Sequence, residues 1–323
     1  MKAALYDHAG PAREVLRIAE VERPEPGPGE VRVRIALSGV NPTDVKARDG
    51  SVPRPIDDFQ IPHQDGAGEI DAVGDGVDPG RIGQRVWIWF AAAGRRFGTA
   101  AEWTTVPERQ AVPLPDNVSL ELGASLGIPA MTAVHCLFVD GMLSASTVLV
   151  AGGAGAVGHF AVELARWTGN LVISTVSGPE KAELAGKAGA HHVVNYRDAD
   201  ALEQIRAFAP TVDRVVEVNL GANLRTDLAL AHPNTTIVTY AAVPQDPALP
   251  VRECMSANVV LRFVLIYNAL PAELDTAAQR ITTALRAGAL TELPVHRFRL
   301  DQIAEAHEAV EAGVTGKVLV DLR

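Results

Sequence analysis

Two rhythms divide the chain. Through residues 1–120 the apolar positions come in short runs separated by turn residues. The stiff connector RPEPGPGE (Arg23–Glu30) leads into VRVRIAL, where Val31, Val33, Ile35 and Leu37 alternate with polar or small residues. A period of two is that of a half-buried strand. Glycines crowd the stretch Gly66–Gly83, whose DG and PG dipeptides mark tight turns. This part is predicted to be antiparallel and barrel-like rather than helical.

From about Leu120 apolar runs alternate with amphipathic stretches of helical length. TVLVA (147–151) precedes HFAVELARW, LVISTV (171–176) precedes EKAELAGKAG, and VDRVVEV (212–218) precedes LRTDLALA. TTIVTY (235–240) and VVLRFVLIY (259–267) close the series. Alternation of this kind predicts βαβ units and a parallel sheet buried on both faces. A helix over 272–287, the strand PVHRF, a helix over 300–312 and the strand GKVLVDL then return to the mixed pattern of the start. The expected fold class is α/β. A barrel-type domain of residues 1–121 and 267–323 is interrupted by a doubly wound domain of residues 122–266.

The strongest local signal is AGGAGAVG. Gly153, Ala154, Gly155, Ala156, Val157 and Gly158 spell GxGxxG between a strand and a helix, the context of a dinucleotide-binding loop. The first glycine permits a tight turn, the second lets a pyrophosphate approach the backbone, and the third lets helix and strand pack closely. The N–H groups at the helix start then face the phosphates. An acidic residue at the end of the second strand would bind the ribose of NAD; Ser177 stands there instead, with Lys181 one helical turn on. A hydroxyl and an ammonium attract a 2′-phosphate, so NADPH is favoured, with a solvated helix lysine as the alternative role for Lys181. Asn219, at the end of VDRVVEV, completes the candidate cofactor contacts.

Composition removes whole classes. The 323 residues carry 29 Lys and Arg against 39 Asp and Glu, a formal net charge of −10. Such a chain repels phosphate backbones, so nucleic acid and anionic membrane are not expected partners. Two cysteines, Cys136 and Cys254, rule out a four-cysteine zinc lobe and a disulfide framework. The N-terminus lacks the pattern of a secretory signal, and Val259–Leu270, read as the longest apolar run, is broken by Arg262 and Asn268. A reducing, cytoplasmic setting is expected. The four tyrosines have no lysine four places on, and GxSxG, GxxxxGK[ST] and HExxH are all missing.

The order of motifs is specific: GVNPTDVKARDG (39–50), IPHQDGAGEIDAVGDGV (61–77), FGTAAEW (97–103), GIPAMTAVH (127–135), AGGAGAVG, TVSGPEKAELAGKAGAHHVVNYR (175–197) and GKVLV (316–320). Nearly end to end, the chain resembles the zinc-free quinone reductases, the zeta-crystallin group of the medium-chain dehydrogenase/reductase superfamily. The resemblance implies a GroES-like catalytic domain with an inserted Rossmann domain, NADPH as hydride donor, and a homodimer paired through the edge strand 259–267. It implies that Ser177, Lys181 and Tyr196 hold the 2′-phosphate. Zinc-dependent members carry ligands at positions matching Asn41, Gln64 (with Asp65 matched to the following glutamate) and Ile128. Two amides and an alkyl group cannot hold Zn²⁺, so no catalytic metal is expected, and His63 is expected to face a strand neighbour.

By the same resemblance the nicotinamide lies against Asn41, Asp44, Gln64 and Thr132. Three of them also have a local reading: Asn41 as an N-cap ahead of Pro42, Asp44 closing a capping box, and Thr132 bonding back to its own helix. An amide from Asn41 or Gln64 could donate to the oxygen that gains charge. The expected activity is NADPH-dependent, metal-free reduction of quinones or related conjugated carbonyls. The alternatives are an alkenal or enone double-bond reductase and a non-catalytic, crystallin-like nucleotide-binding protein.

Overall fold

The computed structural model describes residues 1–242 and 246–323. Two compact units emerge, Met1–Ile128 with Glu292–Arg323, and Pro129–Thr291. The inserted-domain arrangement holds, but the crossings fall after Ile128 and after Thr291 rather than after residues 121 and 266. The later crossing moves because the helix Pro271–Arg286 packs with the second unit.

The first unit opens with β1 (Lys2–Leu5), α1 (Ala12–Val15), β2 (Arg17–Glu20) and the long β3 (Glu30–Val40). Next come α2 (Pro42–Asp49), β4 (Asp65–Val73), β5 (Arg85–Ile88), β6 (Trp103–Pro107) and β7 (Ala111–Pro113). Helix α3 (Leu120–Phe138) carries the chain into the second unit. There β8 (Thr147–Ala151), α4 (Ala156–Trp167), β9 (Leu171–Val176), α5 (Pro179–Lys187), β10 (His192–Asn195) and α6 (Ala201–Phe208) follow in order. Then β11 (Val212–Glu217), α7 (Leu220–Leu230), β12 (Ala231–Thr239), α8 (Val251–Ser256), β13 (Val260–Phe263) and α9 (Pro271–Arg286) complete it. The chain returns to the first unit for β14 (Val295–Arg299), α10 (Ile303–Glu311) and β15 (Lys317–Asp321).

Among the described residues the first unit has a seven-stranded sheet in the order β14-β15-β3-β4-β5-β7, with β6 also on β3. Strand β3 is long enough to serve two partners along one edge. Its first half pairs with β6, Val31 opposite Val106, and its second half with β15, Val40 opposite Val318. The alternating residues Val31, Val33 and Ile35 are buried with Ile70, Val86 and Val106, as the period of two predicts.

The second unit has a six-stranded sheet in the order β10-β9-β8-β11-β12-β13, all pairs parallel. The order reverses at β8 and β11, so the carboxyl ends of these strands form the crevice in which doubly wound sheets bind ligands. Strand β10 and helix α6 have no counterpart in the expected series; only one of the strand's four residues, Val194, is buried, too few for an apolar run. The predicted nine-residue strand 259–267 is real as the sheet edge but shorter. After Val264 bonds the Thr239 carbonyl at 2.8 Å, the partner strand has ended and the chain turns through Ile266–Asn268.

The longest apolar stretch is α3 rather than 259–270. Among the described residues α3 alone is long and apolar enough to cross a membrane, and its most apolar window is 83% buried inside the protein. It is a core helix.

At the end of β11 the Glu217 and Asp227 carboxyl groups are both buried, and Glu217 Oε2 and Asp227 Oδ2 have no hydrogen-bond donor. A proton kept on one carboxyl would let it donate to the other. Burial, then the neighbouring Glu217 charge, pushes the Asp227 carboxyl well up, and burial raises Glu217 as well. A carboxyl raised on folding gives stability that is present at low pH and lost as pH rises through its folded value. Asp227→Asn keeps a donor to Glu217 without needing that proton. Urea unfolding should show wild-type stability falling as pH rises beyond the ordinary carboxylate range, and a flatter profile for D227N over the same rise; parallel profiles would refute the shared proton.

Candidate active site

The turn between β3 and α2 places Asn41 and Asp44. Pro42 begins the helix, Asn41 is its extended N-cap residue at φ −123°, and Asp44 Oδ2 accepts the Asn41 backbone N–H at 2.8 Å. Asp44 therefore does close back on the cap. Asn41's side chain is drawn elsewhere: Nδ2 donates to Asp65 Oδ2 at 2.7 Å, and Oδ1 accepts from Lys317 Nζ at 2.7 Å. Lys317 Nζ also lies 3.3 Å from Asp65 Oδ2, and Asp65 Oδ1 accepts the Ile128 N–H at 2.8 Å. All of these side chains are buried. Burial pushes the Asp65 carboxyl up, while Lys317, the Asn41 amide and the Ile128 N–H pull it down. Asp44 is raised to about 7, first by burial and then by the Asp65 charge.

Gln64 is buried beside this cluster, with its Oε1 unpartnered, and shares a small cavity with Tyr6, Asp44, Arg54 and His63. Thr132 is buried in the part of α3 that belongs to the second unit. His63 does face a strand neighbour: its Nδ1 lies 2.7 Å from Ser38 Oγ on β3. The direction of that chain of bonds follows from its end. Thr99 Oγ1 donates to the Asp65 carbonyl at 2.5 Å, so it must accept from Ser38 Oγ, 2.7 Å away. Ser38 then accepts from His63 Nδ1–H, and His63 Nε2 accepts from His307 Nε2–H at 3.0 Å. Burial holds both imidazoles neutral, lowering His307 to about 3 and His63 well below its ordinary value. The chain of bonds anchors His63 at φ +78°, a backbone conformation rarely taken by a β-substituted residue. The neighbouring Gln64 and Asp65 are held in place with it.

In the second unit the glycine loop follows β8 as expected, and its geometry fits a pyrophosphate. The residue with positive φ is Gly152, at +73°, one place ahead of the GxGxxG run; it makes the tight turn assigned to Gly153. A Cβ on Gly153 would lie 2.0 Å from Ser174 Oγ, and one on Gly158 would lie 2.2 Å from the Gly152 carbonyl. Gly155 is exposed, Ala154 is buried, and Ala156 and Val157 open α4. The first-turn N–H groups of α4 have no partners within the helix and carry its partial positive charge. The parallel register sets Asn195 opposite Val176, so Ser177 and Tyr196 follow on adjacent strand ends, with the Arg197 guanidinium 5.9 Å over the Tyr196 ring. Lys181 stands half-buried in the first turn of α5. Asn219 caps α7, its Oδ1 accepting the Ala222 N–H at 3.2 Å, and its own N–H is taken by the Glu217 carboxylate. This capping role was not expected.

Four positions built into these sites escaped the motif reading: Gly152, Glu217, Asp65, which that reading matched only to the glutamate after a zinc ligand, and Lys317. For Lys317 the available signal was a lysine inside GKVLV, where Lys317, Val318, Leu319 and Val320 are all buried.

Comparison with known proteins agrees with this geometry. Residues 27–116 match the alcohol dehydrogenase GroES-like domain family, and residues 156–283 match the zinc-binding dehydrogenase family. The chain is 29% identical to the quinone oxidoreductase of Rattus norvegicus over 324 residues, 98% of this chain and 96% of that protein. A mycobacterial protein solved in complex with NADPH superposes with a TM-score of 0.85 at 28% identity, covering 99% of both chains. An NAD-dependent alcohol dehydrogenase superposes with a TM-score of 0.89 at 25% identity over the whole of both chains.

The zinc in the second family's description finds no match in this donor set. Positions 41 and 128 supply a carboxamide and a backbone N–H, and the Asp65 carboxylate already faces an ammonium. The glycine cradle, by contrast, fits a dinucleotide, and Gly158→Ala tests it. Circular dichroism should be unchanged, while the NADPH dissociation constant, read by fluorescence titration, should rise at least about tenfold, about 1.4 kcal/mol. Unchanged affinity would refute the cradle. From its barrel-type first unit, its parallel Rossmann sheet and these matches, the chain belongs to the zinc-independent quinone oxidoreductase group of the medium-chain dehydrogenase/reductase superfamily.

Proposed function

We propose that the protein is an NADPH-dependent, metal-free reductase of quinones or related conjugated carbonyls. One observation carries this reading: the glycine cradle follows β8 while a serine, rather than a carboxylate, follows β9, with Tyr196 on the adjacent strand end and Lys181 in the first turn of the next helix. The cradle and the start of α4 receive a pyrophosphate. Ser177, Lys181 and Tyr196 offer two hydroxyls and an ammonium to a 2′-phosphate, and no acid at Ser177 repels it. The rat quinone oxidoreductase and the mycobacterial NADPH complex support the same reading.

Bound NADPH supplies the hydride. The chain supplies orientation, an apolar setting and donors for the acceptor oxygen as it gains charge. Asn41 and Gln64 are the amides of the first unit suited to that donation. A quinone leaves as a stabilised phenolate, and reduction of an enone at its β-carbon leaves an enolate, so neither product needs a strong acid at the moment of transfer. Oxidation of NADPH by 1,4-naphthoquinone, with an enone assayed alongside, tests the activity. Lys181→Ala should raise the NADPH KM about tenfold or more and leave NADH use nearly unchanged, because a charge-assisted hydrogen bond contributes about 1.5–3 kcal/mol. Equal use of both nucleotides by the wild type would count against the assignment.

For the assembly we propose a homodimer through β13. Among the described residues this strand ends its sheet and has no neighbour on its outer side. Val260, Phe263 and Leu265 are 44%, 73% and 57% exposed along the same segment. A second copy of the strand would cover both. Light scattering at micromolar concentration should give twice the chain mass, and Phe263→Glu should shift it towards the monomer; a wild-type monomer would refute the pairing.

A further inference from the structure

The site of the first unit contains a cation of its own. Lys317 opens β15, and the antiparallel register that sets Val318 opposite Val40 brings it level with Asn41, just past the end of β3. Its side chain is 2% exposed, and that of Asp65 is fully buried. Two glycines leave room for the contact. A Cβ on Gly39 would sit 3.1 Å from Lys317 Cε and 2.2 Å from the Ala124 carbonyl, and one on Gly127 would sit 2.1 Å from Asp65 Oδ1.

Ammonium, carboxamide and carboxylate form a closed triangle, with contacts of 2.7 Å, 2.7 Å and 3.3 Å. Its sense is fixed by chemistry. An ammonium only donates and a carboxylate only accepts, so the amide oxygen of Asn41 must face Lys317 and the nitrogen must face Asp65. One N–H of that nitrogen is used on Asp65 and the second is left over. A cation on the carbonyl oxygen draws electron density from the nitrogen, which makes the remaining N–H a stronger donor.

The positions matching zinc ligands in the metal-dependent relatives meet around this triangle, Asn41 through its side chain and Ile128 through its N–H to Asp65. We infer that Lys317 is a positioning residue of the reductase site. Its ammonium stands in for the metal of the zinc-dependent relatives, fixes the plane of the Asn41 carboxamide, and strengthens the amide N–H left to meet the acceptor oxygen. This rests on the reductase reading for its chemistry, but the fixed amide does not.

Steady-state kinetics with NADPH and 1,4-naphthoquinone on Lys317→Met, Asp65→Asn and the double variant test the inference. K317M should lower kcat at least tenfold, with the NADPH dissociation constant unchanged within twofold. The double variant removes both buried charges, so it should recover the thermal stability lost in K317M but not its kcat. Recovery of wild-type kcat in the double variant would reduce Lys317 to a counter-charge for Asp65 and overturn the inference, as would full kcat in K317M. The Asn41 side-chain amide resonances in ¹⁵N spectra give a readout without turnover, expected to move on K317M. A wild type that binds NADPH but reduces neither quinone nor enone would sink the reductase reading alone; Asn41 resonances that stay put in K317M would overturn the fixed amide.

Discussion

A lysine ammonium and an aspartate carboxylate cannot leave water separately without losing several kcal/mol of hydration each. The first unit keeps both buried because each answers the other and the remaining valences are filled by an amide and a backbone N–H. The surrounding structure is constrained by that requirement. Asn41 must leave β3 where the Lys317 ammonium can reach it, and Gly39 and Gly127 must lack side chains for the contacts to form. The neutral chain from His307 to the Asp65 carbonyl holds the backbone of the same carboxylate from behind. A strained residue, two imidazoles and two hydroxyls thus serve the placement of one acid.

The second unit solves a different problem, the approach of backbone to a polyanion. There the decisive contacts are exclusions. A Cβ on Gly158 would lie 2.2 Å from the Gly152 backbone carbonyl and one on Gly153 2.0 Å from the Ser174 hydroxyl, and Gly152 takes up the left-handed turn. The reversal of strand order at β8 and β11 puts this loop at the carboxyl edge of the sheet. The Glu217–Asp227 pair then braces the turn after β11 from within, through the Asn219 N–H and the Asn223 side chain.

Much of this was legible in the residues, where periodicity and turn chemistry coincide. Strand β3 announced itself by alternation, and β8 with α4 by the glycine run between them. Helix α3 was harder to read, because a helix buried on nearly every side has no polar stripe and carries an internal proline. Strand β10 is short and half-covered, so its signal fell below that of the helices around it. The edge strand read too long because Val264, Leu265 and Ile266 remain apolar after pairing has ended; sequence records hydrophobicity but not where a neighbour stops. Lys317 could not be found from spacing at all. It lies 252 residues from Asp65, and only strand register brings them together.

The double service of β3 has a consequence for the order of events on the ribosome. Its first half finds β6 within the same stretch of nascent chain, but its second half waits for β15, which emerges after the whole inserted unit. Domains generally fold as units during synthesis, so the nucleotide-binding insert can be finished while the earlier sheet still has an open seam. Until β15 arrives, the acid at position 65 has no permanent mate, and water must fill the gap. Strand β15 therefore both fills the seam beside β3 and carries the charge that answers the buried acid.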